Sequence, residues 1–355
     1  MSANSFANLF FKVFPPPILL DTPSAGLSIS DDAVRAIKFA HGKHHLEVES
    51  FAELALPDGL IEAGFINDEK KLVELLQKFR TDNALSYVHA SLPEEKMYIF
   101  STDVPTTDPD DIHQNIEFKL EENVPLSPAN AMFSYHLIPR GNSNHQKVGV
   151  SVAPRKVVDA YLSLFEKAGF TPVSFELEAQ ALARAVFEDT LKGARVLVHI
   201  MNKKTGIYVV TDGVVRFTST IPLGSNAITE AVSKAFNVSL EEARKIQYAR
   251  TTAGTEETKK LFSAVINVLS GLKDEISKVI SYWHTHEDGQ HQVHAVVLSG
   301  RDALIPGFAE YVATNSSVTV SVADVWKNVC VFDKYVPPIP YEESLNYGVA
   351  IGLAL

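Results

Sequence analysis

Histidines and charged turns are where this 355-residue chain offers chemistry. His41, His44 and His45 fall close together, and His284, His286, His291 and His294 crowd a second stretch. Imidazole is a common metal ligand, but a zinc site needs further Cys, His or carboxylate ligands at set spacing. Neither group has a Cys neighbour or an HExxH string, and His41 to His45 sit in a turn beside Gly42 and Lys43. No metal site is expected from them. The chain has no GxSxG elbow and no GxxxxGK[ST] loop, so serine-hydrolase and P-loop chemistry find no support. Cys330, the single cysteine, makes no intramolecular disulfide, which fits a reducing interior.

The charged turns belong to two strand pairs with the same grammar. Gly26 to Ile29, the polar turn Ser30-Asp31-Asp32, and Ala33 to Phe39 read as a hairpin. Leu197 to Ile200, the turn Met201-Asn202-Lys203-Lys204, and Gly206 to Val210 read as a second one that aligns with the first without gaps. Each is followed by another apolar strand and then a helix, so both halves open with a three-stranded meander, as an internal duplication would. Strands Ser86 to Ala90 and His294 to Leu298 each follow a helix, indicating parallel neighbours in α/β layers. Ser225 before Ile228 and Val232, with Asn237 at the far end, bounds a helix. Ser239-Leu240-Glu241-Glu242 is a capping box that opens another. A long apolar stripe from Phe262 through Leu269 and Ile276 to Trp283 reads as core.

Residues 96–172 depart from this pattern, with strands at Met97 to Thr102, Met132 to Leu137 and Lys147 to Ala153, and helices at Asp110 to Leu120 and Lys156 to Ala168. They read as a small inserted α+β subdomain, with a surface turn at Pro139 to Asn144. The expected organisation is an N-terminal segment 1–24, a first lobe in 25–95 and 173–192 around the insertion, and a second lobe in 193–355. The N-terminal segment carries Phe6, Leu9, Phe10, Val13 and Phe14 at helical spacing before Pro15, Pro16 and Pro17, and its greasy face packs on its own domain or docks to a membrane or partner.

Composition bounds the partners. Hydrophobic residues make up 46% of the chain, enough for two cores, and a net charge of -11 argues against a nucleic-acid grip. No stretch reaches the roughly 18 consecutive apolar residues of a membrane-spanning helix, and no signal peptide is read, so a cytoplasmic protein is expected.

Several strings resemble the type IV pilus assembly protein PilM family. Ala25-Gly26-Leu27-Ser28-Ile29-Ser30 with Val34-Arg35-Ala36 is similar to its opening strands, and Asp58-Gly59-Leu60-Ile61 with Gly64 to Asp68 to its next segment. Glu121-Glu122-Asn123-Val124-Pro125-Leu126, Ala168-Gly169-Phe170, and Glu176 to Glu178 with Ala181 to Ala185 continue the likeness. In the second half it runs through Phe217 to Gly224, Ser239 to Ala243, and Val297 to Gly300 with Leu304 to Phe308. The cell-division protein FtsA shares the layout, but its relatives typically end in a basic amphipathic helix, whereas Tyr347 to Leu355 reads as a small-residue core helix.

The resemblance implies an α/β fold of two duplicated actin-like (ribonuclease-H-like) lobes with an α+β insertion in the first. It also implies a nucleotide cleft for ATP and Mg2+ built from Ser28, Ser30, Asp31, Asp32, His199, Asn202, Lys203, Lys204, Glu242, Lys245, Gly300, Arg301 and Asp302. The family's strand acids and glycines are replaced here by Ser28, Ser30, His199, Met201 and Arg301-Asp302, so a cleft that no longer turns over ATP is expected. Lys203 and Lys204 read either as a phosphate clamp or as a solvated turn. Arg301 reads either as a phosphate contact or as a surface ion pair with Asp302. By resemblance the chain is a scaffold under the inner membrane that binds the N-terminal tail of a PilN-like membrane protein and self-associates into a ring. The alternatives are an ATP-binding actin-fold ATPase or kinase-type enzyme, or an FtsA-like cell-division protein.

Overall fold

The computed structural model describes residues 24–42, 45–105, 108–138, 146–188, 192–249, 255–286, 292–314 and 318–355. The N-terminal segment before residue 24, His44, His291 and the turn at 139–144 lie outside the described residues.

Strands β1 (Ser24–Ile29), β2 (Ala33–His41) and β3 (Leu46–Ala55) form the first meander, and the short pair β4 (Ile61–Glu62) and β5 (Phe65–Ile66) follows. Helix α1 (Glu69–Asp82) then leads to β6 (Tyr87–Leu92). After an excursion the chain returns through α3 (Arg155–Lys167), β10 (Thr171–Leu177) and α4 (Glu178–Val186). The sheet order is β10-β6-β1-β2-β3, antiparallel within the meander and parallel from β1 outward through β6 to β10. The excursion is β7 (Tyr98–Val104), α2 (Pro109–Asn123), β8 (Ala131–Leu137) and β9 (Gln146–Pro154). Its three strands form an antiparallel sheet of order β7-β9-β8, and Ile112, Ile116 and Leu120 of α2 pack on Val148, Val150 and Val152 of β9.

The second half repeats the first. Strands β11 (Ala194–Ile200), β12 (Thr205–Thr211) and β13 (Val214–Ile221) precede α5 (Ser225–Phe236), α6 (Leu240–Gln247) and the long α7 (Glu256–His286). Next come β14 (Val293–Ser299), α8 (Phe308–Ala313), β15 (Thr319–Val322), α9 (Tyr341–Ser344) and α10 (Gly348–Ala354). The order β13-β12-β11-β14-β15 has the wiring of the first sheet, as the duplicated meanders predict. Asn237 closes α5 in the left-handed region, φ 53°, a conformation Asn tolerates at a helix end.

Strand periodicity sorts the side chains into layers. Ala25, Leu27 and Ile29 of β1 face α1 and α3, and Val196, Val198 and Ile200 of β11 face the stripe of α7 at Val265, Leu269 and Leu272. The alternate residues, Ser28 and Leu197 among them, turn toward the space between the sheets. A third core fills that space, joining Ile37 of the first sheet to Leu197, Tyr208 and Val210 of the second through α4 and α10.

Helix α10 reads in the sequence as core, but as core of the second lobe. In the structure it seats on β1 and α4 of the first lobe. Two glycines allow the approach: a Cβ at Gly26 would lie 2.0 Å from Ala350 O, and one at Gly352 would lie 1.7 Å from Ala181 O. Among the described residues no helix is long and apolar enough to cross a membrane.

Candidate functional site

The β1–β2 and β11–β12 turns have equal length, since Ile29 pairs with Val34 and Ile200 with Thr205. Both turns border a cavity of about 350 Å3 between the lobes. Ser28, Ser30, Asp32, His199, Asn202, Arg301 and Asp302 line it, whereas Asp31, Lys203, Lys204, Glu242, Lys245 and Gly300 stand outside the lining.

The first turn is closed on itself. Ser30 Oγ donates to Asp32 Oδ1 at 2.9 Å, and Asp32 Oδ2 lies 3.9 Å from Arg35 Nη2. Asp31 turns inward and is buried, which raises its carboxyl pKa, while Lys204 and Lys203 pull it back. The second turn corrects the sequence reading. Lys204 is not solvated: it is buried and ion-paired with Glu95. Lys203 Nζ lies 3.4 Å from Asp58 Oδ1.

The loop after β14 also differs from expectation. Gly300 has φ 93°, and a Cβ there would lie 2.2 Å from Ile200 O, so the chain crosses the end of β11 where only glycine fits. That crossing delivers Arg301 and Asp302 to the cavity. They are not a surface pair. Asp302 is only 2% exposed and accepts from Gln247 Nε2 at 2.5 Å. Burial raises its pKa against the pull of hydrogen bonds from Ser225, Gln247 and Tyr248 and of Arg301. Arg301 instead lies over the Tyr248 ring, 4.2 Å from its centroid, a cation–π arrangement.

Helix α6 presents a different face from the one expected. Glu242 is spent on the capping box, accepting from Ser239 N–H at 3.1 Å, and Lys245 pairs with Glu241 at 2.8 Å in the open. One turn apart on another face, Arg244 and Tyr248 reach the cavity.

Beside His199 the cavity holds Glu178, with Glu94 acting on it, and the sequence reading singled out neither acid as a site residue. Glu178, at the first position of α4, is 3% exposed and lines the cavity. Burial pushes its carboxyl up to about 8, with Lys204 opposing and Glu95, Glu94 and Asp31 reinforcing the rise. Glu94, just after β6, is pushed up to about 7 chiefly by burial, although its Oε2 accepts from Ala179 N–H at 3.0 Å. His199 is held down to about 3 by burial, with Arg35 and Lys204 adding to the effect, so its imidazole is neutral. Of the lining atoms, Glu178 Oε2 and His199 Nδ1 have no hydrogen-bond partner, and neither has the buried Ser299 Oγ at the end of β14. One signal was available: Glu178 is a lone acid opening an Ala-rich apolar helix, a position where a buried charge needs a reason.

Two other described histidines hold local contacts. His45 stacks on Tyr335 with ring centroids 5.4 Å apart, and His284 Nε2 accepts from Val293 N–H at 3.1 Å. Among the described residues no three His, Cys, Asp or Glu side chains converge to hold a metal ion.

With the fold and cleft in place, likeness to known proteins can be judged. The family described as type IV pilus assembly protein PilM matches residues 26–355. No curated protein matches the chain by sequence. Among solved structures, a PilM-PilN type IV pilus biogenesis complex is similar over 94% of this chain and 98% of that one, with a TM-score of 0.77 and 18% identity. The ethanolamine utilization protein EutJ from Carboxydothermus hydrogenoformans is similar over 94% and 90%, with a TM-score of 0.56 and 14% identity. MreB5 of Spiroplasma citri bound to ADP is similar over 85% and 92%, with a TM-score of 0.52 and 11% identity. At these identities the likeness establishes the fold, which is actin-like.

Proposed function

Because the chain belongs to the type IV pilus assembly protein PilM family, we propose that it is a cytoplasmic adaptor of a pilus assembly platform that holds the N-terminal tail of a PilN-like membrane protein. The observation that carries this reading is the family match from residue 26 to the last residue, which spans both lobes and the insertion. The likeness to a PilM-PilN complex over 94% of the chain supports the choice of partner. An extended tail would lie on the first lobe beside the inserted sheet, where main-chain pairing gives affinity and pockets for alternate side chains give specificity. Attachment to the inner face of the membrane then comes through the partner.

The cleft is part of the proposal: it works without ATP turnover. Magnesium takes hard oxygen ligands, usually one or two carboxylates with waters, beside the substrate phosphates. Here the strand positions facing the cleft carry Ser28 and His199, Asp31 lies outside the lining, and Asp302 is tied to Gln247. Burial disfavours the charged form of Glu178 that a metal would need, and Asp32 is engaged by Ser30. Lys204, the natural phosphate partner in the second turn, is committed to Glu95. This donor set does not fit a magnesium triphosphate, so no hydrolytic step is derived through one.

Titration calorimetry tests both parts, using the purified chain, a peptide of the candidate partner's N-terminal tail, and Mg-ATP with and without that peptide. Saturable peptide binding that Mg-ATP leaves unchanged is the expected result. Absence of peptide binding would overturn the adaptor reading, and Mg-ATP binding coupled to peptide affinity would overturn the reading of the cleft.

A further inference from the structure

We propose that Lys204 is a clamp between the lobes: its ammonium, carried on the second lobe's turn, plugs into a carboxylate pocket of the first lobe and holds the cleft closed without any bound ligand. The pocket is assembled from separate first-lobe elements, with Glu94 and Glu95 following β6, Glu178 opening α4 and Asp31 in the β1–β2 turn. Lys204 reaches it from the β11–β12 turn and pairs with Glu95, which lies 109 residues away in sequence. Its side chain is 10% exposed and that of Glu95 14%. Glu95 Oε1 and Glu178 Oε2 have no hydrogen-bond partner, so the pocket is rich in acceptors; Lys204 pairs with Glu95 inside it, and Lys203 of the same turn acts on Asp31.

Both sides of the clamp are braced. On the second lobe, Ser225 N–H donates to Met201 O and Asn226 N–H to Asn202 O, each at 2.9 Å. A Cβ at Gly224 would lie 2.5 Å from Asn202 O and 2.7 Å from Lys204 N, so the turn is backed tightly against the start of α5. On the first lobe, Ala179 N–H fixes Glu94. Opening the cleft therefore draws a rigidly mounted ammonium out of a rigid pocket, while water enters to solvate both. With Lys204 in place the closed state is compensated. Without it, the closed state buries Glu95 and its neighbours without a countercharge, and opening to admit water becomes the favoured response. Burial works against the ammonium of Lys204, but the acidic groups around it, Glu95 in direct contact among them, outweigh burial and hold it above the ordinary lysine value.

This inference concerns lobe closure and stands whether or not a PilN-like tail binds. Its test is small-angle scattering and thermal unfolding of the full chain as wild type, Lys204→Met, Glu95→Gln and the Lys204→Met/Glu95→Gln double variant, all without ligand. Lys204→Met is expected to raise the radius of gyration and to lower Tm by about 5–10 °C, the scale for an orphaned buried charge. The double variant, which removes the orphaned charge, is expected to recover at least half of both shifts. Equal radii for wild type and Lys204→Met would overturn the clamp, as would a double variant no better than the single. If Lys204→Met does not fold, Glu95→Gln carries the test: a larger radius than wild type supports the clamp and an unchanged one overturns it.

Discussion

Glu178 and Glu94 carry protons into the folded chain that they would release in the unfolded one. Their folded values, about 8 and about 7, stand above the ordinary glutamate value because burial disfavours the charge. Across the interval from the ordinary value to those raised ones the folded state binds more protons than the unfolded, so stability falls as pH rises through it and levels off above about 8. Glu178→Gln mimics the protonated acid in shape. It is expected to retain wild-type stability near pH 5 and to lose at least about 1 kcal/mol less than wild type between pH 5 and 8, as read from urea unfolding at several pH values. Asp302 gives a second residue-scale expectation. Asp302→Ala takes from Gln247 Nε2 one of its two buried acceptors, leaving only Ser225 Oγ at 3.2 Å, and should cost about 1–3 kcal/mol in urea unfolding, whereas Asp302→Asn retains an acceptor oxygen and should cost less. Legibility at this scale came from family likeness: Ser28 and His199 could be placed at the cleft because their strands resemble the strands that flank the cleft in the PilM family. Lys204 could not, because its partner Glu95 lies far off in sequence. Arg301 also could not, since its stacking on Tyr248 depends on how α6 is rotated against the loop after β14.

At the scale of elements, the capping box of α6 separates two roles that Glu242 could have had. The sequence string fits both a helix start and a ligand contact, and the structure spends the carboxylate on the helix start: Ser239 Oγ accepts from Glu242 N–H at 3.2 Å while Glu242 accepts from Ser239 N–H. Ser239→Ala should therefore cost about 1 kcal/mol in thermal or chemical unfolding, with no change in what the cleft binds. An equal loss of ligand affinity would show that Glu242 has a second task. The meanders, the parallel strands after helices and the long stripe of α7 were readable because each is set by local periodicity and turn chemistry. The seating of α10 was not. Its small, apolar composition says that it is buried and close to something, but only the glycines at its contacts say to what. With Cβ positions 2.0 Å and 1.7 Å from backbone oxygens, Gly26→Ala or Gly352→Ala would force α10 off β1 or α4. Either should cost about 3 kcal/mol or more, or prevent folding outright.

At the scale of the whole molecule, α4 and α10 pack into one core with side chains of both sheets. The central core takes Ile37 from the first sheet and Leu197, Tyr208 and Val210 from the second, with Ile351 of α10 fully buried among them. A chain of two independent lobes would unfold in two steps, and a cavity made in one would leave the other untouched. Here Ile351→Ala removes buried volume from a core that both sheets share, at an expected cost of about 2–5 kcal/mol. The expected calorimetric trace is a single transition for wild type and a single, lower one for the variant. In native-state hydrogen exchange, amides of β1 and β11 should lose protection together, because opening the shared core exposes both inner faces. Loss confined to β1 would mean that α10 belongs energetically to the first lobe alone, and the lobes would then move and unfold as separate bodies. Coupled loss would mean that a tail held on the first lobe is felt by the second through packing, since no ligand in the cleft is needed to join them.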